Sequence, residues 1–250
     1  MIIKNQKELE ILREGGKRLA AVLAEAARNA GAGISTKELD ALAANLILKS
    51  GGAPSFKGYK TRGAPHSYPG ALCVSINEEV VHGLPSDREF RNGDIVGLDI
   101  GMWYENLCTD TALTILVGGG KNKLIEATKK SLEIGIAEVR AGAHIGDIGY
   151  ATQNFLEGEG FGVVRELVGH GVGRAVHEDP EIPNFGKKGT GQELVEGMVI
   201  ALEPMATDGS PKVKLSKDGW TWFTKDGSRS AHFEHTVVVT KDGAEVLTRI

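Results

Sequence analysis

The chain has little of several things that would have assigned its class at once. It carries only two cysteines in 250 residues, Cys73 and Cys108, and they form no CxxC pair. That argues against a disulfide framework and for a reducing compartment. No apolar run approaches the roughly 18 residues that span a bilayer. The opening MIIKNQKELEILREGG turns charged at once and has no apolar h-region, so no signal peptide is evident. A cytoplasmic protein that does not enter a membrane is expected. A basic excess is missing too: 29 Lys and Arg against 33 Asp and Glu give a net charge of −4, which counts against a nucleic-acid binder. There is no GxSxG, and neither cysteine has an evident histidine partner, which disfavours a serine or cysteine nucleophile.

What is present is ordinary globular composition, 41% hydrophobic and 25% charged, in a length that fits one large domain or two small ones. A first helix is expected after Asn5, with Glu8 as its capping-box partner, running through Leu9, Leu12, Leu19, Leu23 and Ala27 to a stop near Gly31. A second opens at Ser35 with Glu38 three residues on, and carries Leu39, Leu42 and Leu46 towards Gly51. The Gly/Pro-rich stretch 51–70 reads as a long loop, and long loops in compact domains are usually functional or mobile. Strands are expected at 71–76, 95–103 and 111–117, helices at 122–139 and 148–156, and extended segments at 163–168, 198–203 and 233–239. Gly31-Ala32-x-Ile34 and Gly142-Ala143-x-Ile145 lie 111 residues apart, and Gly51 to Gly162 keeps that interval. Two similar helix–helix–strand halves in one pseudo-symmetric domain over 1–250 follow from that repeat.

The acids and histidines carry the chemistry. In GDIVGLDIGMWYENLCTDTALTILVG two strand-like runs flank Tyr104-Glu105, and Asp99 and Asp110 lie symmetrically about that apex. Closed there, the hairpin sets them directly opposite, with Cβ atoms about 5 Å apart. Like charges repel at that distance and strands disfavour Asp; a cation between them removes both objections, and a solvated hairpin with two incidental acids is the plain alternative. His170 sits between glycines, where a backbone approaches closely, and His177 follows seven residues later; each alone is as well explained as a surface or core histidine. Glu203 ends an apolar run and Glu234 lies within another. Such acids are costly to bury unless paired or metal-bound, yet each could mark a strand end at the surface. As a set, Asp, Asp, His, Glu and Glu are oxygen-rich with one imidazole. That suits two Mn, Fe, Co or Zn ions better than a structural zinc, which prefers Cys and His.

These residues in this order resemble the methionine aminopeptidase family of bacterial type I, with its pita-bread fold, an α+β architecture of two pseudo-two-fold halves around an antiparallel sheet. The matching motifs are SINEEVVHG (75–83), GDIVGLD (93–99), TDT (109–111), GHGVGRAVHEDP (169–180), ALEPMA (201–206) and SAHFEHTVVVT (230–240), and the likeness covers nearly the whole chain. The resemblance implies that Asp99 chelates one divalent ion, that Asp110 and Glu234 bridge both, and that His170 and Glu203 complete the second site. It implies a bridging water as nucleophile, Glu203 as general base, His177 hydrogen-bonded to the scissile carbonyl, and His82 in contact with the peptide beyond the first residue. The substrate's free amine would bind a metal, which limits cleavage to the first bond. Tyr68, Cys73 and Trp220 match pocket positions for an unbranched, polarisable side chain, with a small second residue needed for clearance; Trp220 could equally be a loop residue without substrate contact. A monovalent cation near the carbonyls of Asn77 and Ser230 belongs to the same family pattern.

Two departures stand out. The family often has a second aromatic just before Tyr68, where this chain offers Pro65 and His66, and Cys108-Thr109 stand where His-Gly is frequent. Cys108 shares strand parity with Asp110, so it either lines the site or is a small buried apolar residue. The resemblance implies N-terminal methionine of nascent polypeptides as substrate, with the ribosome as a partner for which no long basic tail is seen, and nothing in the sequence demands a dimer, so a monomer is expected. Two rivals remain at this stage: a proline-specific exopeptidase of the same fold, whose members usually carry an additional N-terminal domain, and a non-catalytic binding protein that keeps the fold, although such proteins typically lose metal ligands.

Overall fold

The computed structural model describes residues 1–61 and 63–249; the expectations that span 51–70 and 1–250 are therefore met or missed outside Arg62 and Ile250. Four helices form: α1 Gln6–Asn29, α2 Thr36–Lys49, α3 Lys123–Ala137 and α4 Ile145–Gly158. Their starts follow the capping chemistry. The Asn5 side chain accepts from the Glu8 N–H at 3.1 Å, and at α2 the Ser35 hydroxyl and the Glu38 carboxylate cap each other's backbone N–H groups, which satisfies donors that have no intrahelical partner.

The main sheet contains nine strands among the described residues: β1 Ala53–Pro54, β2 Leu72–Ile76, β3 Ile95–Tyr104, β4 Leu107–Leu116, β5 Gly169–Gly171, β6 Glu178–Ile182, β7 Val199–Leu202, β8 Glu234–Val239 and β9 Ala244–Val246. Its order is β1-β3-β4-β8-β7-β5-β6, with β2 also on β3 and β9 also on β8, and every pairing is antiparallel. Helices α1 and α2 bury Leu19, Leu23, Leu39 and Ile47 against Leu72, Leu98 and Ile100. The second pair does the same with Leu132 and Ile148 against Ile200, Leu202 and Val237. The sheet is thus covered by helices on one face, and the candidate ligands lie on the other.

The two halves are related, but not at the interval of 111. Gly33 and Gly142 both take positive φ (88° and 82°), as do Gly51 and Gly160 (83° and 86°), and both pairs are 109 residues apart. The same offset matches Ser35 with His144 at the N-caps and Glu38 with Asp147 at N3, where the Asp147 carboxylate accepts from the His144 N–H at 2.8 Å. The Gly-Ala-x-Ile likeness misaligned the halves by two residues because Ile34 precedes a cap whereas Ile145 follows one. The backbone turns, not the small apolar residues, mark the equivalence.

A second correction concerns the central hairpin. Its turn is Glu105-Asn106, both at positive φ (45° and 66°), as a two-residue type I′ turn requires. Asp99 therefore pairs with Ala112, and Asp110 with Gly101. The two aspartates are diagonal neighbours rather than directly opposite. A shift of two residues keeps both on one face, because side chains alternate with period two. The stretch expected to be extended at 163–168 is strand only over Gly162–Val163.

Candidate metal centre

The register builds the centre. Asp99 on β3 and Glu234 on β8 both pair with Ala112 of β4, so they flank it in one cross-strand row, with Asp110 one rung away on the same face. Continuing the β8–β7 register past His235↔Leu202 brings Glu203 alongside Glu234. His170 on β5 pairs with Ala201 of β7. Its flanking glycines are required by packing: a Cβ on Gly169 would lie 2.4 Å from Ala201 O, and one on Gly171 would lie 2.2 Å from Asp179 O. All five sequence-predicted ligands meet on this face, beneath one pocket that they line together with His82, His177, Tyr68, Cys73 and Trp220.

Distances within the cluster are short. His170 Nε2 is 3.5 Å from Glu203 Oε1 and 3.9 Å from Glu234 Oε1. Ligand atoms of Asp110, His170 and Glu234 all lie within 4.8 Å of one another. His170 Nδ1 sits 2.9 Å from Gly171 O; donation there leaves the Nε2 lone pair for the acids' side, the arrangement typical of a histidine ligand. The Asp110 backbone is clamped by Thr236, whose hydroxyl accepts from Asp110 N and donates to Asp110 O, at 2.9 and 2.7 Å.

The electrostatics are those of a site built for positive charge. Burial, reinforced by Glu203, raises the Asp110 pKa to about 8, and burial raises that of Glu203 to about 8. Asp99 and Glu234 are pushed well above the ordinary range by burial and then by Asp110. Four carboxylates in one dry cluster repel, and without a cation protonation is the only relief. Two oxygens, Asp99 Oδ1 and Glu234 Oε1, are buried with no hydrogen-bond partner, which is rare without an unseen ligand. Burial also lowers the pKa of His170 to about 3, holding it as the neutral imidazole that a metal needs. Hard carboxylate oxygens with one imidazole therefore fit first-row divalent ions.

Around the cluster, His82 sits at φ 59°, a conformation uncommon for a non-glycine residue and often kept at functional sites; burial lowers its pKa to about 4. His177 stands at the mouth with its ring 4.4 Å from that of His170, and desolvation lowers its pKa. The Tyr68 hydroxyl donates to Gly83 O at 2.7 Å, and its ring meets Trp220 edge-on at 5.3 Å. Trp220 is no idle loop residue: it is buried in the pocket wall and its indole N–H donates to His66 O at 3.1 Å. Cys73 pairs with Asp99 across β2–β3 and lines the pocket. Cys108 is fully buried behind it among Phe56, Tyr68 and Val172, outside the lining. Asn77 O, carried over for a monovalent ion, accepts from Ser230 N at 2.8 Å and Ser230 Oγ at 3.2 Å.

Sequence reading missed two residues. Tyr59 is the second aromatic: it lines the pocket, its O–H lies 2.7 Å from His177 Nδ1, and its carbonyl accepts from Tyr68 N at 2.8 Å. Nine residues separate it from Tyr68, too far for a motif that expects adjacency. His232 is 2% exposed with Nε2 3.4 Å from Glu203 Oε2, and burial lowers its pKa to about 3. Its place two residues before Glu234 was the available signal.

Fold and site together define a metal-dependent hydrolase of the pita-bread class. The model of metallopeptidase family M24 matches residues 10–241, and the chain belongs to that family. It is 45% identical to methionine aminopeptidase 1 of Bacillus subtilis, covering 100% of both chains. It superposes on the crystal structure of methionine aminopeptidase from Thermotoga maritima with a TM-score of 0.94 and 42% identity, again over 100% of both. Prolidase from Pyrococcus furiosus has a TM-score of 0.75 at 23% identity, with 100% of this chain matched to 66% of that one, which shows a shared fold.

Proposed function

We propose that this chain removes N-terminal methionine from polypeptides whose second residue is small. The carrying observation is the convergence of Asp99, Asp110, His170, Glu203 and Glu234, with two of their oxygens unpartnered, in one pocket. The relatives named methionine aminopeptidase, matched end to end at above 40% identity, support the substrate.

In this reading those five side chains hold two divalent ions (Co, Mn, Fe or Zn), which supply Lewis acidity that makes a water nucleophilic near neutral pH. Glu203, held through its backbone by Asn184 Nδ2 at 3.0 Å, would serve as the general base toward the attacking water. His177 donates to the scissile carbonyl: with Tyr59 O–H donating to Nδ1, the neutral ring carries its proton on Nε2. His82, kept neutral by burial, contacts the peptide just beyond the first residue and assists the departing amine. Tyr68, Cys73, Trp220 and Phe56 supply the apolar part of the pocket lining for the methionine side chain.

Asp99 and Asp110 come from the first half and His170, Glu203 and Glu234 from the second, which supports one catalytic domain over the whole chain acting as a monomer. No described helix is long and apolar enough to cross a membrane, and both cysteines are free, in keeping with a cytoplasmic enzyme meeting nascent chains at the ribosome.

The test is hydrolysis of Met-Ala-Ser, Leu-Ala-Ser, Pro-Ala-Ser and Ala-Pro-Ser by metal-stripped protein after Mn or Co is restored. Release of methionine alone supports the reading. Cleavage only before proline replaces the substrate, and no cleavage with any divalent ion leaves a binding scaffold.

A further inference from the structure

The inner pocket opens directly into a wider groove. The two share His82, His170, His177 and Glu203 as walls, but the groove is about 720 Å³ where the inner cavity is about 50 Å³. A peptide with its first side chain inside must leave past His82 and His177, and this groove is the continuation of that path. Its lining combines apolar Val81, Leu167 and Met205 with acidic Glu178, Asp179 and Glu181. Among the described residues no lysine or arginine lines it.

The three acids are not equivalent. Glu178 is committed within the protein, accepting from the Ala175 N–H at 2.9 Å and pairing with the Met1 nitrogen at 3.1 Å. Asp179 and Glu181 are exposed, and neither makes an ion pair or side-chain hydrogen bond among the described residues. Of the basic residues nearby in sequence, Arg174 pairs with Glu8 at 2.9 Å and Arg165 with Glu157 at 3.3 Å, Lys188 lies over the Tyr150 ring, and Lys187 makes no ion pair among the described residues. Two carboxylates without an ion pair thus line a channel, together with apolar side chains, that a polypeptide must cross.

We propose that Asp179 and Glu181 select substrates by the charge of the residues that follow the small second one, favouring lysine or arginine there and disfavouring aspartate or glutamate. The inference rests on the peptidase reading and deepens it. A long basic side chain suits such a lining, its methylenes against the part-exposed Leu167 and its cation beside the acids. An acidic residue meets like charge from Asp179 and Glu181, with no lysine or arginine among the described lining residues. Exposed pairs are weak singly, and two acting together change kcat/KM by roughly fivefold at low ionic strength. High salt shrinks the effect.

The experiment compares Met-Ala-Lys-Lys-Ser, Met-Ala-Ser-Ser-Ser and Met-Ala-Glu-Glu-Ser on the metal-loaded enzyme, in low and high salt, with the wild type, an Asp179→Asn/Glu181→Gln double variant and a Glu181→Lys single variant. The quantity read is the Lys-to-Glu ratio of kcat/KM, so a general change in activity does not enter it. The expected order is Lys above Ser above Glu, compressed by salt and by the double variant, and compressed further or inverted by Glu181→Lys, which keeps the test open if the double variant folds poorly. Equal rates for the three peptides, or an order that no variant moves, overturns the proposal while leaving methionine release intact. Failure to cleave even Met-Ala-Ser-Ser-Ser would instead overturn the peptidase reading beneath it.

Discussion

At the scale of single residues, the pocket divides into groups that bind charge and groups that hold them in place. Asp110→Asn keeps the shape and the Thr236 clamp on the backbone but removes a negative charge from the centre. Bound metal per chain should fall in elemental analysis, and methionine release should fall at least about 100-fold, beyond the cost of disturbing a ligand's supporting shell. Tyr59→Phe tests a quieter role. Without the phenol on Nδ1, the His177 ring loses the bond that sets its tautomer, and kcat should drop roughly tenfold with KM little changed, a fraction of what full loss of acid–base function costs; equal steady-state constants for variant and wild type would contradict it. The two differ in legibility. Asp110 could be found because an acid inside an apolar strand is a local anomaly. Tyr59 could not, because its partner is 118 residues away and nothing local distinguishes a loop tyrosine that bonds a pocket histidine from one that does not.

At the scale of elements, the strands act as rulers. The sequence reading set the hairpin turn one residue early at Tyr104-Glu105, and the aspartates stayed on one face only because the resulting shift in pairing was even. An odd shift would have sent one of them into the helices. The helix caps were readable since Asn5, Ser35 and Glu38 act within four residues of their partners, whereas the true repeat interval depends on which glycines take positive φ, a backbone property that composition does not reveal. The closest strand approach is at β5 and β6. A Cβ on Gly171 would meet a backbone oxygen at 2.2 Å, with no flexible side chain to yield, so Gly171→Ala should cost about 1–3 kcal/mol of stability in urea unfolding, in the range of overpacked cores. It should also weaken metal binding, since His170 shifts with the strand.

At the scale of the molecule, the site stores unfavourable charge that a cation relieves. Asp110 and Glu203 are raised to about 8 by burial, against about 4 in an unfolded chain. For the metal-stripped protein the stability tied to these protons is fully present below about pH 4 and is lost as pH rises through about 8. Chelation should therefore lower the Tm more at pH 8 than at pH 6, and restoring metal should flatten the dependence, as differential scanning calorimetry would show; a Tm gap independent of pH would count against buried protonated acids. The order of the strands adds a matter of timing. Strand β8, which brings Glu234, is the last of the ligand-bearing strands along the chain, yet it lies in the middle of the sheet between β4 and β7. As the polypeptide is synthesised, β4 and β7 wait with open edges until that strand arrives, so metal capture is among the closing events of maturation. An incompletely made copy is then inert towards its neighbours' termini, and its two unpaired edges are where mistaken association would begin.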